Sequence, residues 1–212
     1  MGNYEDRKDY AKGALDGAPD LPSAWLNPWL EAAKAADPDD YNAMTLSSIG
    51  ADGHPDARIV LLREVEWEGE VPSLLFYTNY HSEKGRQVEG HPHAAATFFW
   101  RELERQLRVR GRVERLPEAV SDRYFASRPR ASRIGAWASQ QSESTSSREA
   151  LESARVEMEA RFPGDVPRPE HWGGYRIVAS ELEFWQGRPG RLHDRFRFRW
   201  EEGQWSVSRL QP

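Results

Sequence analysis

The sequence predicts a mainly β fold with peripheral helices: an antiparallel barrel, closed or partly closed. Three observations predict it. Short strand-like segments recur, eight or nine in all, separated by turn signals. Helical periodicity is confined to an N-terminal patch and a middle block, so strands and helices do not alternate as a parallel sheet requires. The 212 residues contain no G-x-G-x-x-G, Walker A or G-x-S-x-G pattern, which removes the usual nicotinamide, nucleotide-triphosphate and serine-hydrolase readings.

The elements follow in order. Residues 1–21 are polar, with Gly13, Gly17 and Pro19, and read as a mobile arm lacking a core of its own; residues 22–212 read as one domain. Trp25, Leu26, Trp29, Leu30 and Ala33 recur at helical spacing. Asn27-Pro28 supplies either an N-cap and first helical residue or lies in the first turn of a slightly earlier helix; Asp37-Pro38 ends it. Segments 43–49 and 57–65 read as strands around the turn signal Gly50-Ala51-Asp52-Gly53, and 73–78 as another. Residues 82–89 are short and polar, stopped by His91-Pro92. Segments 94–100 and 106–116 form a hairpin around 101–105. In the second of these, Leu107, Val109, Gly111 and Val113 share one face and Arg108, Arg110, Arg112 and Glu114 the other, the period of a half-buried strand. Helices are predicted over 117–127, 132–138 and 147–162. Strands resume at 175–178, 182–186, 195–200 and 205–210, with Glu201-Glu202-Gly203-Gln204 as a hairpin turn.

Composition narrows the chemistry. Without a single cysteine, disulfides, thiol catalysis, Fe–S clusters and Cys-bound zinc are excluded, so any redox reaction needs an external cofactor. Of the six histidines only His91 and His93 lie close together, at a spacing that matches no metal motif, and no metal is expected. A net charge of −5 argues against a general nucleic-acid binder. The cations nevertheless cluster, at Arg105, Arg108, Arg110, Arg112 and Arg115 and again at Arg188, Arg191, Arg195, Arg197 and Arg199. Such clusters suit small anions such as phosphates, though each arginine taken singly reads as a solvated strand position. No apolar run is long enough to span a bilayer and no secretory leader is seen, so the expected location is the cytoplasm.

Specific segments go further than periodicity. Glu183-Phe184-Trp185-Gln186-Gly187 followed by Arg191-Leu192-His193-Asp194-Arg195 resembles the signature of the pyridoxamine 5′-phosphate oxidase family. So do Ala57-Arg58-Ile59-Val60-Leu61-Leu62, Phe76-Tyr77-Thr78-Asn79, Leu103-Glu104-Arg105-Gln106, the run Tyr124 to Arg130, Ile134-Gly135-Ala136-Trp137, Gln141-Ser142, Trp172-Gly173-Gly174-Tyr175 and the closing Arg209-Leu210-Gln211-Pro212. The similarity runs from about Arg7 onward; each motif is weak alone, and their order and spacing make them specific together.

The resemblance implies an FMN-binding split barrel that dimerises with two flavins at the subunit interface. It implies oxidation of pyridoxamine or pyridoxine 5′-phosphate to pyridoxal 5′-phosphate, with O2 as acceptor and H2O2 released. Flavin contacts are implied at Arg58, Ile59, Val60, Leu61, Tyr77, Thr78, Lys84, Gln106, Gln141, Ser142, Trp185 and Arg195. Arg63, Tyr124, Arg128 and Ser132 match positions that hold the substrate phosphate. Arg191 and His193, with Leu192 between them, match the pair that closes over the pyridine ring, and Arg7, Lys8, Asp9 and Tyr10 resemble the arm that covers the site.

Taken one at a time, these residues admit simpler readings. Trp185 reads as barrel packing, His193 with Asp194 as a structural pair, Tyr124 and Arg128 as an i, i+4 surface pair, and Ser132 as a helix N-cap. Two positions depart from the family pattern: Arg63 stands where lysine is usual, and Glu83 where an arginine often precedes Lys84. Glu83 is expected to face solvent, leaving Arg58 and Lys84 to carry the flavin phosphate. The alternatives are a related flavin oxidase of another aromatic substrate, as in phenazine-type pathways, and a non-catalytic carrier of pyridoxal phosphate or FMN.

Overall fold

The structure is a computed structural model in which residues 9–212 are described; Arg7 and Lys8 lie outside the described residues. Helix α1 (Ser23–Ala36) precedes strands β1 (Ala43–Ile49), β2 (Pro55–Leu61), β3 (Glu64–Glu68) and β4 (Val71–Asn79). Helix α2 (Glu83–Gly90) leads into β5 (His93–Trp100) and β6 (Arg105–Arg115). Helices α3 (Glu118–Ser127), α4 (Arg130–Ala138) and α5 (Arg148–Arg161) form the middle block, and β7 (Trp172–Gln186), β8 (Asp194–Glu201) and β9 (Gln204–Leu210) complete the sheet.

Every strand pairing is antiparallel, in the order β2-β1-β5-β6-β7-β4-β3. The two ends of this path, β2 and β3, are separated in sequence only by Leu62 and Arg63. The Leu62 N–H donates to Asn42 O and the Arg63 N–H to Leu75 O, each at 2.8 Å. The sheet therefore curls until its outer strands meet at this link, which makes the barrel. Strand β7 is where it splits. Its first half pairs with β4 and its second with β8, while β6 runs beside both. The β6–β7 register shifts between Arg110 and Gly111. A Cβ at Gly111 would lie 1.9 Å from Val178 O, so only glycine admits this approach.

Alternation decides what is inside. Met44, Leu46, Leu74, Phe76, Phe98, Leu107, Val109, Ile177, Leu182, Phe184 and Phe198 are completely buried, each a side chain whose burial stabilises by roughly 1.5–3 kcal/mol. Helix α1 closes one end with Leu26, Trp29 and Ala33; the Trp29 ring meets Phe184 edge-on at 5.0 Å. A second cluster, Phe125, Ile134, Val166 and Trp172, sits under α3–α5.

Several boundaries differ from the sequence reading. Segment 57–65 is two strands, broken at Leu62-Arg63 where the barrel closes. Segments 175–178 and 182–186 are one continuous strand of 15 residues, because β6 pairs along nearly its whole length. Pro28 lies inside α1 as its sixth residue rather than at its start. The polar stretch after Ser82 is a helix, with Ser82 Oγ accepting from the Gly85 N–H at 3.3 Å. Ser132 is not an N-cap but the third residue of α4.

Candidate active site

One corner of the barrel gathers aromatic rings and unpaired cations. Tyr77 on β4 and Tyr124 on α3 stack at 3.8 Å with planes 14° apart, and Tyr77 stacks on Trp172 at 5.6 Å. Helix α3 ends at Ser127, so Arg128 is extended backbone and does not share a helix face with Tyr124 as the i, i+4 spacing suggests. Its guanidinium lies 4.4 Å from the Trp172 ring, and Arg63 lies 5.9 Å from the Tyr124 ring. Arg128 Nη1 is buried with no hydrogen-bond partner among the described residues. Burial pushes the Arg128 pKa down, and the neighbouring Arg63 pushes the same way. Neither arginine forms an ion pair with a described residue. Two neighbouring guanidiniums without an ion-pair partner among the described residues are suited to an anion. Burial, and then Tyr124, push the Tyr77 hydroxyl up to about 12, so this phenol stays protonated. Ser132 is partly buried on the adjoining turn of α4, and its hydroxyl makes no hydrogen bond among the described residues.

A second group lies where β2, β4 and α2 adjoin. Thr78 Oγ1 donates to Gln141 Oε1 at 3.0 Å, which ties the 139–147 loop to β4; Ser142 beside it is exposed at φ +74°. The strand period divides the predicted set on β2. Arg58 and Val60 are partly covered, whereas Ile59 is 64% and Leu61 37% exposed. Arg58 is held by Ser48 Oγ (2.6 Å), Gln87 Oε1 (2.8 Å), Leu46 O and the Asp56 carboxylate. Lys84 forms no ion pair among the described residues, and burial followed by repulsion from Arg58 lowers its pKa. Glu83 is exposed, as expected.

The third group surrounds the β7–β8 turn. Gln106, Trp185 and Arg195 lie in one cross-strand row over β6, β7 and β8. Arg195 donates to the buried Glu183 at 2.9 Å and is thereby fixed. The Trp185 ring lies 4.7 Å from His193 and 5.5 Å from Tyr10. Asp9, Tyr10, Trp185, Arg188, Gly190, Arg191 and His193 line a cleft of about 700 Å³. Gly190 and Arg191 both have positive φ, +62° and +63°, a tight turn that projects Arg191 and Leu192 into solvent. The Arg188 N–H donates to His193 Nδ1 at 3.1 Å, so the lone pair there is used and Nε2 carries the ring proton. Burial and then Arg191 lower the His193 pKa, against Asp194 and Asp9, which favours the neutral ring.

The described part of the N-terminal segment is docked on this cleft. Ala11 and Lys12 N–H groups donate to the buried Glu104 carboxylate at 2.8 and 2.9 Å, and Leu15 N–H to Asp194 at 3.0 Å. Gly190 N–H donates to Asp9 at 3.2 Å. Leu15 is buried in the main core, so this stretch borrows a core although it lacks its own.

Among the described residues no hydrogen bond, ion pair or ring contact joins the corner of Arg63, Tyr124 and Arg128 to the cleft of Trp185, Arg191 and His193. The fold builds two part-sites. Sequence reasoning missed Trp172 as the platform under Arg128, the Arg188 N–H that sets the His193 tautomer, and Asp56 and Gln87 around Arg58. Asp56 was legible, since it lies two residues from Arg58 on the same strand face; the others depend on contacts between distant segments.

Comparison with known proteins agrees with this architecture. Residues 30–161 match the family model described as pyridoxamine 5′-phosphate oxidase, and residues 172–212 the pyridoxine 5′-phosphate oxidase C-terminal dimerisation region. The pyridoxine/pyridoxamine 5′-phosphate oxidase of Burkholderia multivorans (strain ATCC 17616 / 249) is 50% identical over 212 residues, 97% of each chain. That of Neisseria meningitidis serogroup B (strain ATCC BAA-335 / MC58) is 49% identical over 214 residues, covering both chains fully. Among solved structures, PhzG from Burkholderia lata 383, in complex with tetrahydrophenazine-1-carboxylic acid, superposes with a TM-score of 0.84 at 28% identity over 94% of this chain and all of that one. A pyridoxamine 5′-phosphate oxidase-related, FMN-binding protein from Nostoc punctiforme PCC 73102 shares the fold, with a TM-score of 0.71 at 16% identity over 93% of this chain and all of that one. With a family model covering more than half of it and full-length relatives near 50% identity, this chain belongs to the pyridoxamine 5′-phosphate oxidase family.

Proposed function

We propose that the protein is an FMN-dependent oxidase that converts pyridoxamine 5′-phosphate or pyridoxine 5′-phosphate to pyridoxal 5′-phosphate in the cytoplasm. The observation that carries this reading is the pair Arg63 and Arg128, which form no ion pair among the described residues and are backed by the Tyr77–Tyr124–Trp172 stack. A phosphate dianion answers that surplus of charge; a carboxylate, as on the phenazine ligand of the structural relative, would answer half of it. The overall reaction of the amine consumes O2 and water and yields aldehyde, ammonia and H2O2; the alcohol needs O2 alone and yields aldehyde and H2O2.

The residues present fit a flavin. Lys84 is a half-covered cation that forms no ion pair among the described residues, Thr78 and Gln141 offer hydrogen-bonding groups, and Ile59 and Leu61 present apolar surface on β2. When bound, FMN supplies the hydride acceptor and passes the electrons to O2. The chain's own residues bind and orient. Arg63, Arg128, Tyr124 and Ser132 hold the substrate phosphate. His193 donates from Nε2 to the substrate ring and Arg191 covers it. With Nδ1 already accepting from Arg188, His193 is a donor and not the base. Asp9 and Tyr10 close the cleft against water at the start of the docked stretch that Leu15 anchors in the core, and 22–212 is the single domain. The separation of the two part-sites supports a homodimer in which one copy supplies the phosphate corner and the other the Trp185–His193 cleft. Purification tests this. The expected product is a yellow dimer with one FMN per chain; a colourless monomer that cannot be reconstituted with FMN contradicts it.

A further inference from the structure

Resting on the flavin reading, we propose that Asp56 is a built-in competitor of the flavin phosphate: its carboxylate occupies Arg58 and weakens FMN binding. Arg58 does not need Asp56 in order to be positioned. Three neutral acceptors hold it already: Ser48 Oγ at 2.6 Å, Gln87 Oε1 at 2.8 Å and Leu46 O at 3.3 Å. Ser48 in turn donates to Gln87 Oε1 at 2.6 Å, so this scaffold closes on itself. What Asp56 adds is charge. It pairs with Arg58 Nη2 and accepts from Gln87 Nε2 at 3.0 Å.

The local balance follows. The cations here are Arg58 and Lys84, and the anions facing Lys84 are Asp56 and Glu83. Glu83 is exposed and screened by solvent, so the anion that counts is Asp56, which offsets Arg58, and an incoming dianion must compete with it for the Nη2 edge of Arg58. Asp56 is placed to yield. Its side chain is 42% exposed against 19% for Arg58, and it lines an open cleft of about 740 Å³ with Glu83, Gln87 and His54. A displaced carboxylate can turn into that cleft and be hydrated.

The test is flavin titration of the apoprotein, read by quenching of flavin fluorescence, with FMN and with riboflavin, which has no phosphate. Asp56→Asn keeps the shape and an acceptor for Gln87 or Arg58 and removes the charge; Asp56→Ser is a second variant should the first fold poorly. The expected result is a Kd for FMN lowered about fivefold or more in both variants, as removal of one anion near a dianion implies, with riboflavin changed by less than about twofold. The gain should shrink at high salt. An unchanged or raised Kd for FMN overturns the proposal, because Asp56 would then position Arg58 or do nothing. An equal gain for riboflavin overturns it too. Wild-type protein that binds neither flavin defeats the underlying cofactor reading, whereas wild-type binding with unaltered variants defeats only this one.

Discussion

Replacement of Arg128 by alanine separates a phosphate ligand from a structural arginine. In the free protein Arg128 contributes little to stability. Its Nη1 is buried without a partner among the described residues, a deficit worth about 1–3 kcal/mol. Against this stands contact with the Trp172 and Phe125 rings, worth roughly 0.5–2 kcal/mol. The two nearly cancel, so Arg128→Ala should shift Tm by no more than about 2–4 °C, the range that 1 kcal/mol produces in a chain of this size. With the substrate phosphate present, the same guanidinium gains charge-assisted hydrogen bonds worth about 1.5–3 kcal/mol, or one to two decades of affinity. Steady-state kinetics on pyridoxamine 5′-phosphate should therefore show KM raised ten- to a hundredfold with flavin content unchanged. Arg128→Lys should recover part of this, since it keeps the charge and loses the planar fork. A wild-type KM accompanied by a large fall in Tm would refute the reasoning and make Arg128 a structural residue.

Other predictions follow from the same geometry. Lys84→Ala should raise the Kd for FMN by about tenfold or more, since Lys84, which forms no ion pair among the described residues, is the cation beside Arg58; equal affinity in a fluorescence titration would remove the phosphate from this place. Glu83 is exposed, so Glu83→Arg should change FMN binding by less than about 0.5 kcal/mol, and a tenfold gain would mean that it faces the phosphate. His193 should titrate by NMR below its ordinary value of 6.5. The unfolded ring takes up a proton first as pH falls, so stability tied to the neutral ring is complete above pH 6.5 and is lost as pH drops through the lowered folded value. A midpoint above 6.5 would contradict the Arg188 N–H contact.

Much of the barrel was legible because strand alternation is a local property. The inward row Leu107, Val109, Gly111, Val113 follows from period two alone and is buried as that period requires. The break at Leu62-Arg63 carries no glycine or proline, and it exists because the ends of the sheet meet there. The continuity of β7 was hidden because Ser180 and Glu181 interrupt its apolar pattern, and only the neighbouring strand reveals that the backbone stays extended through them. At the site, residue types were legible and partners were not. Asp56, two residues from Arg58 on the same strand, could be read as its neighbour, but Gln87 from α2, 29 positions away, could not be read as its acceptor. The tautomer of His193 is set by a backbone N–H, which no side-chain motif encodes.

Following aldehyde and peroxide together, as the FMN-loaded protein turns over pyridoxamine 5′-phosphate in air, decides whether the chain is an oxidase. The expected products are pyridoxal 5′-phosphate and H2O2 in equal amounts, with unphosphorylated pyridoxamine a far poorer substrate because Arg63 and Arg128 are left without their anion. A protein that holds FMN yet forms no aldehyde from either phosphorylated substrate would contradict this, and would leave the fold as a carrier rather than an oxidase.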